Sequence, residues 1–175
     1  MADLDTTTIG VAIDVPEPYA RELRDWRERS GDPQAKHVPP HVTLLPPTQV
    51  PATALPEIAD HLAGVAALAS AFEMHLRGTG TFRPVSEVVF IVVAAGIAQC
   101  ERLERAVRSG ALARPTQFPY HPHVTVAHGV PTERLDLVYE GLTGFDARFK
   151  VAEFTMFTQD GAGIWQPQRR YPLGA

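Results

Sequence analysis

One cysteine, Cys100, stands in the whole 175-residue chain, which excludes an internal disulfide and any zinc site built on cysteines. Lysine is almost as scarce: of 16 basic residues only Lys36 and Lys150 are lysine, and the rest are arginine. Arginine is the better fork for phosphate, yet a GC-rich genome produces the same bias, so the count alone assigns nothing. No apolar run approaches the roughly 20 residues needed to span a bilayer. The longest candidate, Val88 to Ala95, has the length of a strand. The N-terminus, Met1 to Thr8, is acidic and polar and lacks the basic and apolar regions of a secretory signal, so a soluble cytoplasmic protein is expected. An excess of positive charge is missing too. With 16 Lys+Arg against 20 Asp+Glu the net charge is −4, which argues against a long duplex-DNA footprint and leaves room for one phosphate held in a pocket.

What is present is a chain that is 45% hydrophobic and 21% charged, enough for a single domain with a real core or two small lobes sharing one. Strands and helices alternate along it. Thr8–Val15 reads as a strand, Pro16–Ser30 as a helix stopped by Gly31, and His41–Leu45 as a short strand framed by prolines. Leu55, Ile58, Leu62 and Val65 recur at helical spacing, as do Ile97, Cys100, Leu103 and Val107. Strands are expected at Phe72–Thr81, Val88–Ala94, Pro122–Ala127, Phe149–Phe157 and Ile164–Tyr171. A fourth helix is expected from a Thr132 cap to Leu142.

The chain repeats itself. His41-Val42-Thr43-Leu44 returns as His123-Val124-Thr125-Val126, an offset of about 82 residues. Gly78-Thr79-Gly80-Thr81-Phe82-Arg83-Pro84 returns as Gly161-Ala162-Gly163-Ile164-Trp165-Gln166-Pro167, an offset of about 83. Two unrelated motifs at nearly one offset imply a duplicated unit, approximately residues 1–85 and 86–175. With no Gly/Ser tract between them, residues 1–175 are expected to form one bilobal body, and the protein to be a monomer.

Alternate residues of a strand share a face, so His41 and Thr43 point one way while Val42 and Leu44 point to the core. His123 and Thr125 do the same in the second unit. Across a twofold, two imidazoles and two hydroxyls converge. A neutral imidazole can take a proton from an attacking hydroxyl or water, a protonated one can give a proton to the leaving oxygen, and the hydroxyls can donate to phosphoryl oxygens. Neither a metal nor another cofactor is required. The bland alternative is that each histidine merely ends a strand with its ring satisfied by backbone.

On these residues the chain resembles the 2H phosphoesterase superfamily, specifically the bacterial 2′-5′ RNA ligases or RNA 2′,3′-cyclic phosphodiesterases. The resemblance rests on the two His-x-Thr-x motifs, on Gly78-x-Gly80-x-Phe82, and on the approach Phe118-Pro119-Tyr120-His121-Pro122-His123. It implies an α+β bilobal fold with two antiparallel sheets and flanking helices around a central groove. It also implies hydrolysis of a 2′,3′-cyclic phosphate to a 2′-phosphate, or reversible 2′-5′ phosphodiester formation, with His41, Thr43, His123 and Thr125 as the catalytic set. The partner would be an RNA end or a small nucleotide. A binding module that keeps the groove without turnover is the alternative. Many relatives carry Arg where this chain has His128, which can supply positive charge only when protonated.

Other residues near the motifs admit two readings each. Phe82 and Trp165 hold equivalent places in the repeat and could stack a base or belong to the core. Tyr120, entering from a proline-rich loop, is the better stacking candidate. Arg83 could reach a phosphate or simply be solvated. His121, His123 and His128 could be read as a metal site, but His128 has the opposite strand parity and no acidic residue lies near in sequence. The more open loop before His123 favours that residue as the group that activates the nucleophile.

Overall fold

The computed structural model describes residues 5–174; the acidic stretch Met1 to Leu4 and the terminal Ala175 lie outside them. In chain order the elements are β1 (Thr6–Asp14), α1 (Tyr19–Arg29), β2 (His41–Pro51), α2 (Leu55–Leu68), β3 (Phe72–Thr81) and β4 (Val88–Ala95). They continue as α3 (Ile97–Val107), β5 (His123–His128), α4 (Thr132–Gly141), β6 (Asp146–Val151), β7 (Glu153–Gln159) and β8 (Trp165–Pro172). The strands make two four-stranded antiparallel sheets, ordered β2-β1-β7-β8 and β5-β4-β3-β6, with the helices around them: an α+β fold.

The sheets do not follow the two halves of the chain. β3 comes from the first half but pairs with β4, and β7 comes from the second half but pairs with β1. The helices cross as well: α1, which follows β1, lies against β5, and α3, which follows β4, lies against β2. No cut near residue 85 would therefore free either sheet.

Three expectations are corrected. The run Phe149–Phe157 is not one strand: it breaks at Ala152 into β6 and β7, which belong to different sheets. Both pieces are equally strand-prone and no Gly or Pro marks the crossing, so local sequence carries no sign of it. β2 does not end at Leu45 but runs on to Pro51. It is an edge strand, and the register slips between Ile9–Thr48 and Val11–Leu45, so Pro46 and Pro47 sit in a bulge where no ladder donor is needed. Thr132 is the first residue of α4 and not its cap; Pro131 holds the cap position, with no side-chain cap bond.

The motif strands are anchored by their apolar halves. Val42, Leu44, Val124 and Val126 are buried to 1% exposure or less. Each such side chain is worth about 1.5–3 kcal/mol. A one-residue slip would turn these residues to solvent, so the same burial that stabilises the sheets locks the register of His41, Thr43, His123 and Thr125. Cys100 is a core residue of α3, and burial pushes its thiol up to about 12.

Candidate active site

β2 and β5 are edge strands of their respective sheets, and the two edges lie against each other. That juxtaposition brings the His-x-Thr motifs together, with all four side chains half-buried.

The two imidazoles are held alike. The Nδ1–H of His41 donates to the carbonyl of Pro39 at 2.7 Å, and that of His123 donates to the carbonyl of His121 at 2.7 Å. A carbonyl can only accept, so in each neutral ring the proton sits on Nδ1 and Nε2 keeps its lone pair. At His41 that lone pair takes the Thr43 hydroxyl, Oγ1 to Nε2 being 3.1 Å. The Thr125 hydroxyl makes no side-chain hydrogen bond among the described residues.

Burial depresses both groups. His41 is lowered to about 4, first by desolvation, against its bond to the Pro39 carbonyl, and further by the nearby charges of Arg27 and His123. His123 is lowered from its ordinary value chiefly by desolvation, opposed by its bond to the His121 carbonyl.

An aromatic ring backs each imidazole, and the two rings come from opposite halves of the chain. Trp165 lies tilted on His41 with centroids 4.7 Å apart, while Phe82 meets His123 edge-on at 5.0 Å. Phe82 in turn packs on Phe90 at 4.4 Å. The Gly78-Thr79-Gly80 element makes this possible. Gly78 takes a left-handed φ of +69°, and a Cβ on Gly80 would come within 2.6 Å of the Phe90 ring. Phe82 and Trp165, expected as base-stacking or core residues, thus pack on the two histidines.

The Tyr120 hydroxyl donates to the Thr43 carbonyl at 2.7 Å, so this residue ties the loop before β5 to β2; burial raises its pKa well above the ordinary phenol. Tyr120→Phe should lower stability by about 1 kcal/mol, measured by urea unfolding, because a carbonyl loses its partner. The Arg83 guanidinium donates to Asp136 of α4 at 2.8 Å and to the Thr81 hydroxyl at 3.1 Å. His128 ends β5 with its side chain exposed, and its backbone N–H donates to Asp32 at 3.1 Å. The ring centroids of His121 and His123 are 6.0 Å apart, and His121 packs against Phe82 and Phe90.

Sequence reading missed a buried ion pair beside the motifs. Arg27 Nε meets Asp32 Oδ2 at 2.8 Å, with side chains 9% and 1% exposed. Asp32 also accepts from the backbone N–H groups of Gln34 and His128, which joins α1, the following turn and β5. Its only sequence signal was an Asp two residues before Gln34, an ordinary turn cap.

A cleft of about 690 Å³ opens on this site. Thr43, Phe82, His121 and His123 form part of its wall. A larger cavity of about 790 Å³ lies between α2 and α3 and contains none of the motif residues.

The model of the 2′-5′ RNA ligase superfamily matches residues 15–163. The chain belongs to the 2′-5′ RNA ligase superfamily. Similarity to other members of this phosphoesterase superfamily spans whole proteins. A protein of Bacillus thuringiensis (strain Al Hakam) is 24% identical over 168 residues, 95% of this chain and 96% of its own. E. coli LigT in its apo form shares the fold with a TM-score of 0.70 and 24% identity, over 98% of this chain and 99% of that one. A crystal structure of a phosphoesterase matches with a TM-score of 0.69 and 22% identity, over 98% and 100% of the two chains. LigT has also been solved with 3′-AMP, phosphate, NADP+ and ATP. No helix of the described residues is long and apolar enough to cross a membrane.

Proposed function

We propose that this 2′-5′ RNA ligase superfamily member is a metal-independent phosphoesterase that hydrolyses a 2′,3′-cyclic phosphate, or forms and cleaves a 2′-5′ phosphodiester, on an RNA end or small nucleotide. The observation that carries the reading is the matched anchoring of His41 and His123, each with Nδ1–H on a backbone carbonyl, which leaves Nε2 as the proton-transfer atom, held at His41 by the Thr43 hydroxyl. Two imidazoles so held can supply both proton transfers of the reaction. Nucleotides bound to LigT agree with a nucleotide-sized ligand.

In hydrolysis, His41 Nε2 takes a proton from water as the water oxygen bonds to phosphorus. The bond from phosphorus to O3′ breaks, and protonated His123 gives O3′ its proton, leaving a 2′-phosphate. Thr43, turned from His41, and Thr125 donate to the non-bridging oxygens, where charge gathers in the transition state. The roles follow from the environments: His41 is the more strongly held neutral and suits the base, which reverses the assignment expected from loop openness.

The test is incubation with nucleoside 2′,3′-cyclic monophosphates in EDTA, with products separated by chromatography. A 2′-monophosphate is expected; binding without any turnover would establish the non-catalytic module instead. The pH profile follows from the same groups. The base works above its pKa and the acid below, so kcat/KM should rise through about pH 4 as His41 deprotonates and then fall with further increase in pH, earlier than an ordinary imidazole would dictate, as His123 loses its proton. A bound phosphate anion favours the charged imidazoles, so the kcat profile should lie at higher pH than that of kcat/KM. A flat kcat/KM between pH 4 and 9 would sink the acid–base assignment.

A further inference from the structure

The cleft beside His123 carries two charged side chains, Glu104 and Arg108, in a wall that is otherwise apolar or uncharged apart from its histidines. They are one turn apart at the end of α3, both with side chains 14% exposed. α3 rests against β2, which is why a helix of the second half faces the first motif. The Arg108 Nε to Glu104 Oε1 distance is 3.6 Å, an ionic contact too long for a hydrogen bond. Glu104 accepts no side-chain hydrogen bond among the described residues. Its carboxylate oxygens are not shut away from solvent, so their acceptor sites are open to a ligand in the cleft. Phe82 lines the same cleft, as do Val85 and Phe118, which stand 78% and 63% exposed. Flat apolar rings with a carboxylate and a guanidinium set side by side are the parts of a nucleobase site.

The order of charges is selective. On its pairing edge guanine offers two adjacent donors, N1–H and N2–H, next to the O6 acceptor. Adenine and cytosine present a bare ring nitrogen beside a single amino group, and uracil flanks its one donor with two carbonyls. A carboxylate takes both guanine donors, and the neighbouring guanidinium takes O6. We infer that this cleft is a base-binding subsite for guanine nucleotides, with Glu104 reading N1–H and N2–H and Arg108 donating to O6. The inference rests on the proposed reaction at His41 and His123, which places the phosphate at the same cleft.

Two measurements test it: calorimetric affinities for the four nucleoside 2′-monophosphates, and kcat/KM for the four 2′,3′-cyclic monophosphates. Wild type should favour guanosine over uridine by at least about tenfold in both. Glu104→Gln, which keeps shape and has its folding checked by thermal unfolding, should bring that ratio to within about threefold. Equal affinities in wild type, a preference for another base, or an unchanged ratio in Glu104→Gln would overturn the subsite. If cyclic nucleotides are still turned over, the phosphoesterase reading survives that result. Guanine preference in binding with no turnover of any cyclic nucleotide would support the subsite and overturn the reaction.

Discussion

Replacing His41 or His123 by alanine should lower kcat/KM on a 2′,3′-cyclic nucleotide by about 10²–10⁴-fold each, the usual contribution of one positioned acid or base. Both groups act in one transition state, so the double variant should lose much less than the product of the single losses. The two variants differ in what rescues them. A nucleotide 4-nitrophenyl phosphodiester has a leaving group that departs with little need of a proton, so it should restore much of the rate of His123→Ala and little of that of His41→Ala. The opposite pattern would exchange the roles. Near-wild-type activity of either variant on the cyclic substrate would remove the mechanism altogether. Neither imidazole lies in the apolar core, and each is replaced by a smaller side chain, so thermal unfolding should show folded protein in both cases.

The largest expected effect on stability belongs to Asp32→Ala. Asp32 and Arg27 are a buried pair at 2.8 Å, and the carboxylate also receives two backbone N–H groups. Removing it leaves the guanidinium in a buried site without its counter-charge and orphans the N–H of His128. Loss of one member of such a pair costs about 3–5 kcal/mol. For a domain of this size that corresponds to a fall of about 6–20 °C in Tm. Screening by salt should recover little of it, since the pair is shielded from solvent. The double variant Arg27→Met/Asp32→Leu removes both charges and should regain most of the stability, because much of the single-variant cost is the isolated charge. A loss under about 1 kcal/mol for Asp32→Ala in urea unfolding would mean that water relaxes around Arg27.

Local signals account for the elements of this fold where a residue's own neighbours decide them. The alternation in His41-Val42-Thr43-Leu44 and His123-Val124-Thr125-Val126 reports buried against half-buried positions, because a strand's geometry has period two. The helical spacing through Ile97, Cys100, Leu103 and Val107 likewise reports α3, whose buried face is Cys100, Leu103 and Val107. The break at Ala152 and the extension of β2 to Pro51 escaped because each depends on which strand lies alongside. The candidate site divides the same way. Its histidines and threonines are visible as a repeated motif, whereas the hydrogen bonds of Tyr120 and Arg83 were not, because their partners, Thr43 and Asp136, lie 77 and 53 residues away.

By itself, then, the sequence determined the kinds of residue available, their faces on the motif strands, and the superfamily they point to. Only the tertiary structure decided that β3 and β7 change sheets, that Trp165 backs His41 while Phe82 backs His123, and that α3 brings Glu104 and Arg108 to the cleft. The physical reason is range. Backbone geometry and capping act over a few residues, but the desolvation that lowers His41 and the contacts that fix its ring come from segments far apart in the chain.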